Sequence, residues 1–320
     1  MSAQPHRHTG LIVGAPFTRL AAMEAGLTDA DLARRPYARL FRGVYVHGST
    51  ARTVALRAAA ALEVAPTAAV ISHHTAALLW GGKVPADSRV HLTVPARRNC
   101  QIDGIRTHRL ANVPTPILRK GIRVTSPERT VADLARYLDL VELVTLGDRL
   151  VRREVTSVAA LTEFASTWRG PMAARFRQAI SFIRPGVDSP PESRLRMLIV
   201  LAGLPEPIVN HVVRNANGEW VRRFELAYPG LRIAIEYSGR WHRENDEVWA
   251  ADIERRDELD HNDWRVVEVL GKGLDVTPLQ TLQRVESLRR DRGAAPTHLL
   301  DAWRPYFPGY AVWSDSDKSS

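Results

Sequence analysis

The chain has a single cysteine, Cys100, among 320 residues. No intramolecular disulfide can form, and no multi-cysteine zinc site can be built. Long apolar runs are missing as well: the run from Met197 to Ala202 falls far short of the roughly 18 to 20 residues a membrane-spanning helix needs. The apolar stretch Leu11-Ile12-Val13, which follows His6, Arg7 and His8, is too short for the core of a secretory signal. A cytoplasmic protein is expected. The 20 glycines and 20 prolines are scattered, which excludes collagen-like and low-complexity architectures. What is present, 45% hydrophobic and 25% charged residues, describes a globular chain long enough for two or three domains.

Lysine is also scarce, since 40 of the 44 basic residues are arginine. The net charge of +9 is unevenly spread: residues 1–185 hold 26 Lys+Arg against 13 Asp+Glu, and residues 186–320 hold 18 against 22. The basic character therefore belongs to the first half. Arginine presents planar donors that fork onto phosphate; nucleic-acid binding and a coding bias toward Arg and Ala both fit this composition, and position along the chain decides between them.

After a loose tail over 1–15, the pattern turns helical at Phe17. Leu20, Ala21 and Met23 precede Ala25-Gly26, and Thr28 is placed to cap a second helix with acids in its first turn. A hairpin over Leu40–Val46 follows, with Arg34, Arg35, Arg39 and Arg42 around it. Two helices and a hairpin in this order predict a winged helix over 16–50, contacting DNA from Thr28 to Arg42. An α+β segment is expected over 51–185. His73 and His74 open a helix there; adjacent helical residues point about 100° apart, and no acid or cysteine stands at ligand spacing, so packing or capping is expected of them. The Pro/Gly-rich stretch 184–191 coincides with the change in charge sign and is read as the boundary to a domain over 186–293. A poorly ordered tail over 294–320 is expected to follow.

The second domain carries the chemistry. Pro229-Gly230 separates two β-rich runs and predicts a tight hairpin with Tyr228 opposite Leu231 and Glu225 opposite Ala234. Alternation then puts Phe224, Leu226, Tyr228, Ile233, Ile235 and Tyr237 on one face. Glu225, Ala227, Ala234, Glu236 and Ser238 fall on the other. Glu225 and Glu236, as diagonal neighbours, could hold one Mg²⁺ or Mn²⁺ ion through oxygen; the same acids could instead keep a wet face soluble. His242 is a candidate general acid or base. Arg256 is a candidate phosphate contact, or else the partner of Asp252 in a solvated ion pair four residues apart.

In order along the chain come Pro190-Pro191-Glu192-Ser193-Arg194, Ala202-Gly203-Leu204-Pro205, Leu226-Ala227-Tyr228-Pro229, Ile235-Glu236-Tyr237-Ser238-Gly239, His242, Asp252 to Arg256, and Trp264-Arg265-Val266-Val267. This series resembles the nuclease-like domains related to very-short-patch-repair endonuclease, within the PD-(D/E)-x-K superfamily. The resemblance implies an α/β restriction-endonuclease-like domain with a central mixed sheet. It also implies Glu192 as the helix acid, Glu225 and Glu236 as the strand acids, and His242 as the family histidine. The chain departs from the pattern at two positions, with Glu225 where an Asp is expected and Ser238 where relatives have Asp or Lys.

The first half, through residues 17–48, Ser72-His73 to Leu79, His91-Leu92-Thr93-Val94-Pro95 and Thr125 to Leu134, resembles the AbiEi-type winged-helix antitoxins of toxin–antitoxin systems. That resemblance implies DNA binding, operon regulation and a toxin or operon partner. The expected protein is thus a DNA-binding chain with a metal-dependent endonuclease-like domain. The alternative is a non-catalytic, antitoxin-like regulator on a degenerate nuclease fold.

Overall fold

The computed structural model describes residues 14–34, 36–98, 101–214, 217–218, 220–238 and 263–309. The chain is mixed α and β and divides into two compact units, Met1–Arg136 with Thr167–Pro171, and Tyr137–Ser166 with Met172–Ser320. Among the described residues no helix is long and apolar enough to cross a membrane.

The first unit begins with β1 (Phe17–Thr18), α1 (Arg19–Glu24), α2 (Asp29–Leu32), β2 (Tyr37–Phe41) and β3 (Val44–His47). Its local signals are strong. Thr18 caps α1 by accepting the Ala21 N–H, and Thr28 and Asp31 cap α2 reciprocally. Gly43, at a φ of +80°, turns the chain between β2 and β3 where a side chain would be strained. The strands form a small antiparallel sheet in the order β1-β3-β2. Phe17, Ala22, Leu27 and Leu32 fill the core beneath it. The expected helices and hairpin are present; the short β1 is an addition, and α2 is a single turn.

The rest of this unit comprises α3 (Val54–Val64), β4 (Val70–Ile71), α4 (His73–Leu79), β5 (Val90–Pro95), β6 (Ile105–Leu110), β7 (Ile117–Arg119), β8 (Ile122–Val124) and α5 (Pro127–Leu134). Its mixed sheet runs β6-β5-β4-β8-β7. β5 and β6 are parallel, with His91 beside Arg106 and Thr93 beside His108.

The second unit contains α6 (Leu140–Arg152), α7 (Val158–Thr167), α8 (Ala173–Phe182), α9 (Pro190–Leu201), β9 (Ile208–Arg214), β10 (Trp220–Tyr228), β11 (Ile233–Ser238), β12 (Arg265–Leu270), α10 (Gly271–Asp275) and α11 (Pro278–Asp291). β9, β10 and β11 form an antiparallel meander, and β12 adds parallel to β11, giving a mixed sheet in the order β12-β11-β10-β9.

Helix α9 is tied to α6 by a buried network. Arg196, fully buried, reaches Asp148 at 2.9 Å and Glu206 at 2.8 Å, and the Ser193 hydroxyl donates to Asp148 at 2.8 Å. Residue 186, where a domain boundary was expected, therefore lies within the second unit. The prolines there start α9 behind the Ser189 cap and do not loosen a linker. Residues 294–309, expected to be poorly ordered, bury Trp303 and Phe307 and return a hydrogen bond from the Leu300 N–H to the Ala202 carbonyl. Two large aromatics outweigh the prolines around them.

Candidate functional site

Three of the acids expected in the site come together. Glu192 projects from the first turn of α9, Glu225 from β10 and Glu236 from β11. Asp188, one residue before the α9 cap, joins them. Glu192 is buried, and its Oε2 accepts the Asp188 N–H at 3.1 Å. Glu225 Oε2 accepts the Tyr237 N–H at 2.7 Å.

The hairpin joining β10 and β11 differs from the expected one. Pro229–Leu231 forms a 3-10 turn and Arg232 takes a left-handed φ of 51°, so the loop is longer than two residues and the register moves. Tyr228 pairs with Ile233 and Leu226 with Ile235; continued by one step, this register sets Glu225 directly opposite Glu236. The ladder stops before that step, and the Glu225 carboxylate takes the Tyr237 N–H in its place. The expected sorting of faces also fails at Phe224, which packs with Ala227, Ala234 and Trp264. Both faces are covered here, as Leu226, Ile233 and Ile235 are buried too.

Crowding shows in the electrostatics. Burial pushes the Glu225 carboxyl up to about 7; the bond from the Tyr237 N–H opposes this, and the neighbouring charges of Glu192, Glu236 and Asp188 add to it. Burial likewise raises Glu192. Arginines offset part of the negative charge: Arg222 bonds Glu236 at 2.8 Å, and Arg223, at 2.8 Å, and Arg152 both bond Asp188. Arg222, Arg223, Arg152 and Asp188 were not foreseen as site residues. A register irregularity between Trp220 and Arg222 hides the direction of Arg222 from any alternation rule.

The donor set suits a hard divalent cation in kind, since all its ligand atoms are carboxylate oxygens and a crowded, half-protonated carboxyl is relieved by a cation. Its present arrangement engages Glu236 with Arg222. Among the described residues no group of three or more His, Cys, Asp or Glu stands arranged to hold a metal ion. His242, Asp252 and Arg256 lie outside the described residues.

The residues expected to meet DNA lie on the β1-β3-β2 sheet and its helices. Thr28, Arg34, Arg39 and Arg42 are exposed. Arg34, Arg39 and Arg42 form no side-chain ion pair among the described residues, unlike Arg19, which is bound to Asp29. Arg35 lies outside the described residues.

No family model matches the chain. The chain is similar to two uncharacterised proteins of Mycobacterium tuberculosis, Rv2248 of strain H37Rv and MT2308 of strain CDC 1551, being 26% identical to each over 204 residues, which span 61% of this chain and 72% of theirs.

Proposed function

We propose that the protein binds DNA through its first unit and carries in its second an endonuclease-like centre that hydrolyses phosphodiester bonds with Mg²⁺ or Mn²⁺. The observation that carries this reading is the convergence of Glu192, Glu225 and Glu236 from α9, β10 and β11. The mixed sheet behind them agrees with the restriction-endonuclease-like core implied by the resemblance. The small sheet with two capped helices and three exposed arginines that form no ion pair among the described residues agrees with a winged helix. Glu225 and Glu236 are the ion's ligands and Glu192 supports them; when bound, the ion polarises water and offsets the charge that builds on the phosphate. With its carboxyl near 7, Glu225 holds or gives up a proton close to neutrality. His242 as proton donor or water positioner, and Arg256 on phosphate, complete the proposed set.

A second reading is a non-catalytic, antitoxin-like regulator with a toxin or operon partner. Arg222 on Glu236 and Ser238 in place of an acid or lysine favour it. Thermal melting with and without Mn²⁺ separates the two. The hydrolytic reading expects wild type to gain several degrees and Glu236→Ala to gain none; no gain in wild type supports the regulator. Both readings share the DNA interface, and affinity that stays flat between about 50 and 200 mM salt would remove it.

A further inference from the structure

The first unit gathers four histidines that neither reading above employs. His73 and His74 open α4, His91 lies on β5 and His108 on β6. His91 Nε2 meets Asp87 Oδ2 at 3.0 Å, and His91 Nδ1 stands 3.2 Å from His108 Nε2. The ring of His74 lies 4.8 Å from that of His91, and the rings of His91 and His108 are 5.2 Å apart. His73 stacks on His108 at 3.5 Å and bonds the Ser72 hydroxyl through Nδ1 at 2.9 Å.

The tautomers follow from the partners. Asp87 is bound by Arg89 at 2.8 Å, with Arg106 at 3.8 Å, and stays ionised, so it can only accept. His91 must then donate from Nε2, which leaves a lone pair on Nδ1. The facing His108 Nε2–H donates into that lone pair, so one proton is shared between two nitrogens. Two imidazoles on a tetrahedral zinc ion, each at about 2.0–2.1 Å, would place their nitrogens at about the same spacing, roughly 3.3 Å. A carboxylate behind a histidine, holding its other N–H, is the usual support of a metal-bound imidazole.

A second observation points to the same place. Thr93 is fully buried, its Oγ1 has no hydrogen-bond partner, and the β5–β6 register sets it beside His108 on the face it shares with His91. Buried polar atoms are seldom left unsatisfied. Burial also keeps His91 (about 4) and His108 (about 3) uncharged at neutral pH, the state in which imidazole ligates a metal.

We propose that His91 Nδ1 and His108 Nε2 are the first two ligands of a transition-metal site of the Zn²⁺ class in the first unit, with His74 as the third ligand and Asp87 orienting His91. When the ion binds, the His108 proton moves from Nε2 to Nδ1, so both rings stay neutral imidazoles and no net proton is released. Since no three such side chains stand arranged for a metal among the described residues, the His74 ring rotates in when the ion binds.

The test titrates the metal-stripped full-length chain with Zn²⁺ by calorimetry and with Co²⁺ by visible absorption. The proposal expects about one equivalent bound without net proton release at neutral pH, with proton uptake or release appearing only near the depressed histidine pKa values, and tetrahedral Co²⁺ bands. It expects at least roughly 100-fold weaker binding in His91→Gln and His108→Gln, and about 10- to 100-fold weaker binding in Asp87→Asn. His298→Gln, at an exposed histidine outside both clusters, is expected to bind as wild type does. Circular dichroism checks each variant's fold; should His91→Gln not fold, the half-buried His108 gives the deciding variant. No binding by wild type overturns the proposal, as does binding undiminished in the folded histidine variants.

Discussion

The histidine cluster of the first unit and the carboxylate cluster of the second are both largely shielded from water, yet burial moves their protons in opposite directions. It lowers His91 to about 4 and His108 to about 3, and raises Glu225 to about 7. In each case the charged form is the one penalised. A neutral imidazole keeps a lone pair and an un-ionised carboxyl keeps a proton, so at neutral pH the same desolvation leaves lone pairs in one cluster and holds a proton on the other. The clusters also balance their residual charge differently. Asp87 is the acid among imidazoles and is held by arginine, whereas the second unit brings four acids together and draws Arg222, Arg223 and Arg152 onto two of them.

The largest effect is expected beneath the second cluster. Asp148→Ala leaves Arg196 buried without its buried carboxylate partner and should destabilise this unit by about 3 to 5 kcal/mol, read by urea unfolding. A loss under about 1 kcal/mol would mean that Glu206 alone satisfies the guanidinium.

Acidification and alkalinisation should then separate the units. His91 has a depressed folded pKa, so its contribution is present above about 6.5 and lost as pH falls through about 4. The loss is on the order of 3 kcal/mol in metal-free protein. Glu225 has a raised folded pKa, so its contribution is present below about 4.5 and lost as pH rises through about 7. Glu225→Gln keeps an acceptor for the Tyr237 N–H without the charge. It should stabilise the second unit at pH 8 by about 2 to 3 kcal/mol relative to its effect at pH 4. Equal effects at both pH values would erase the contrast between the clusters.

Smaller effects sharpen the comparison. Arg222→Ala removes the cation that occupies Glu236 and should tighten Mn²⁺ binding by about tenfold, or about 1.4 kcal/mol, as read by calorimetry. Unchanged or weaker binding would show that Arg222 does not compete with the ion. On the DNA side, Arg39→Ala and Arg42→Ala should each lower the salt slope of binding by about one. A slope unmoved by both would place the interface elsewhere.

Much of the frame is legible in the sequence because local chemistry specifies it. Thr28 and Asp31 announce α2, Ser189 with Pro190-Pro191 announces α9, and the alternation of Val90–Val94 announces β5. Glu192, Glu225 and Glu236 are recognisable as one group. Their register was not, because Pro229-Gly230 permits both a two-residue turn and the 3-10 turn that forms, and Arg232 in the left-handed region decides between them. The histidine cluster is harder still. His73-His74 looks like ordinary helix packing until the parallel pairing of β5 with β6 brings His91 and His108 alongside, and that pairing is a long-range fact. Arg222 and Asp188 enter the site for the same reason, through tertiary proximity without a motif.

The proposed hydrolytic centre is tested most directly by incubating supercoiled plasmid with the full-length protein and Mn²⁺ or Mg²⁺, beside Glu225→Ala and Glu236→Ala prepared identically. The account expects nicking or linearisation by wild type and its loss in both variants. Intact plasmid with wild type, or equal cleavage by all three proteins, would contradict it and leave a DNA-binding regulator whose carboxylates are held by arginine.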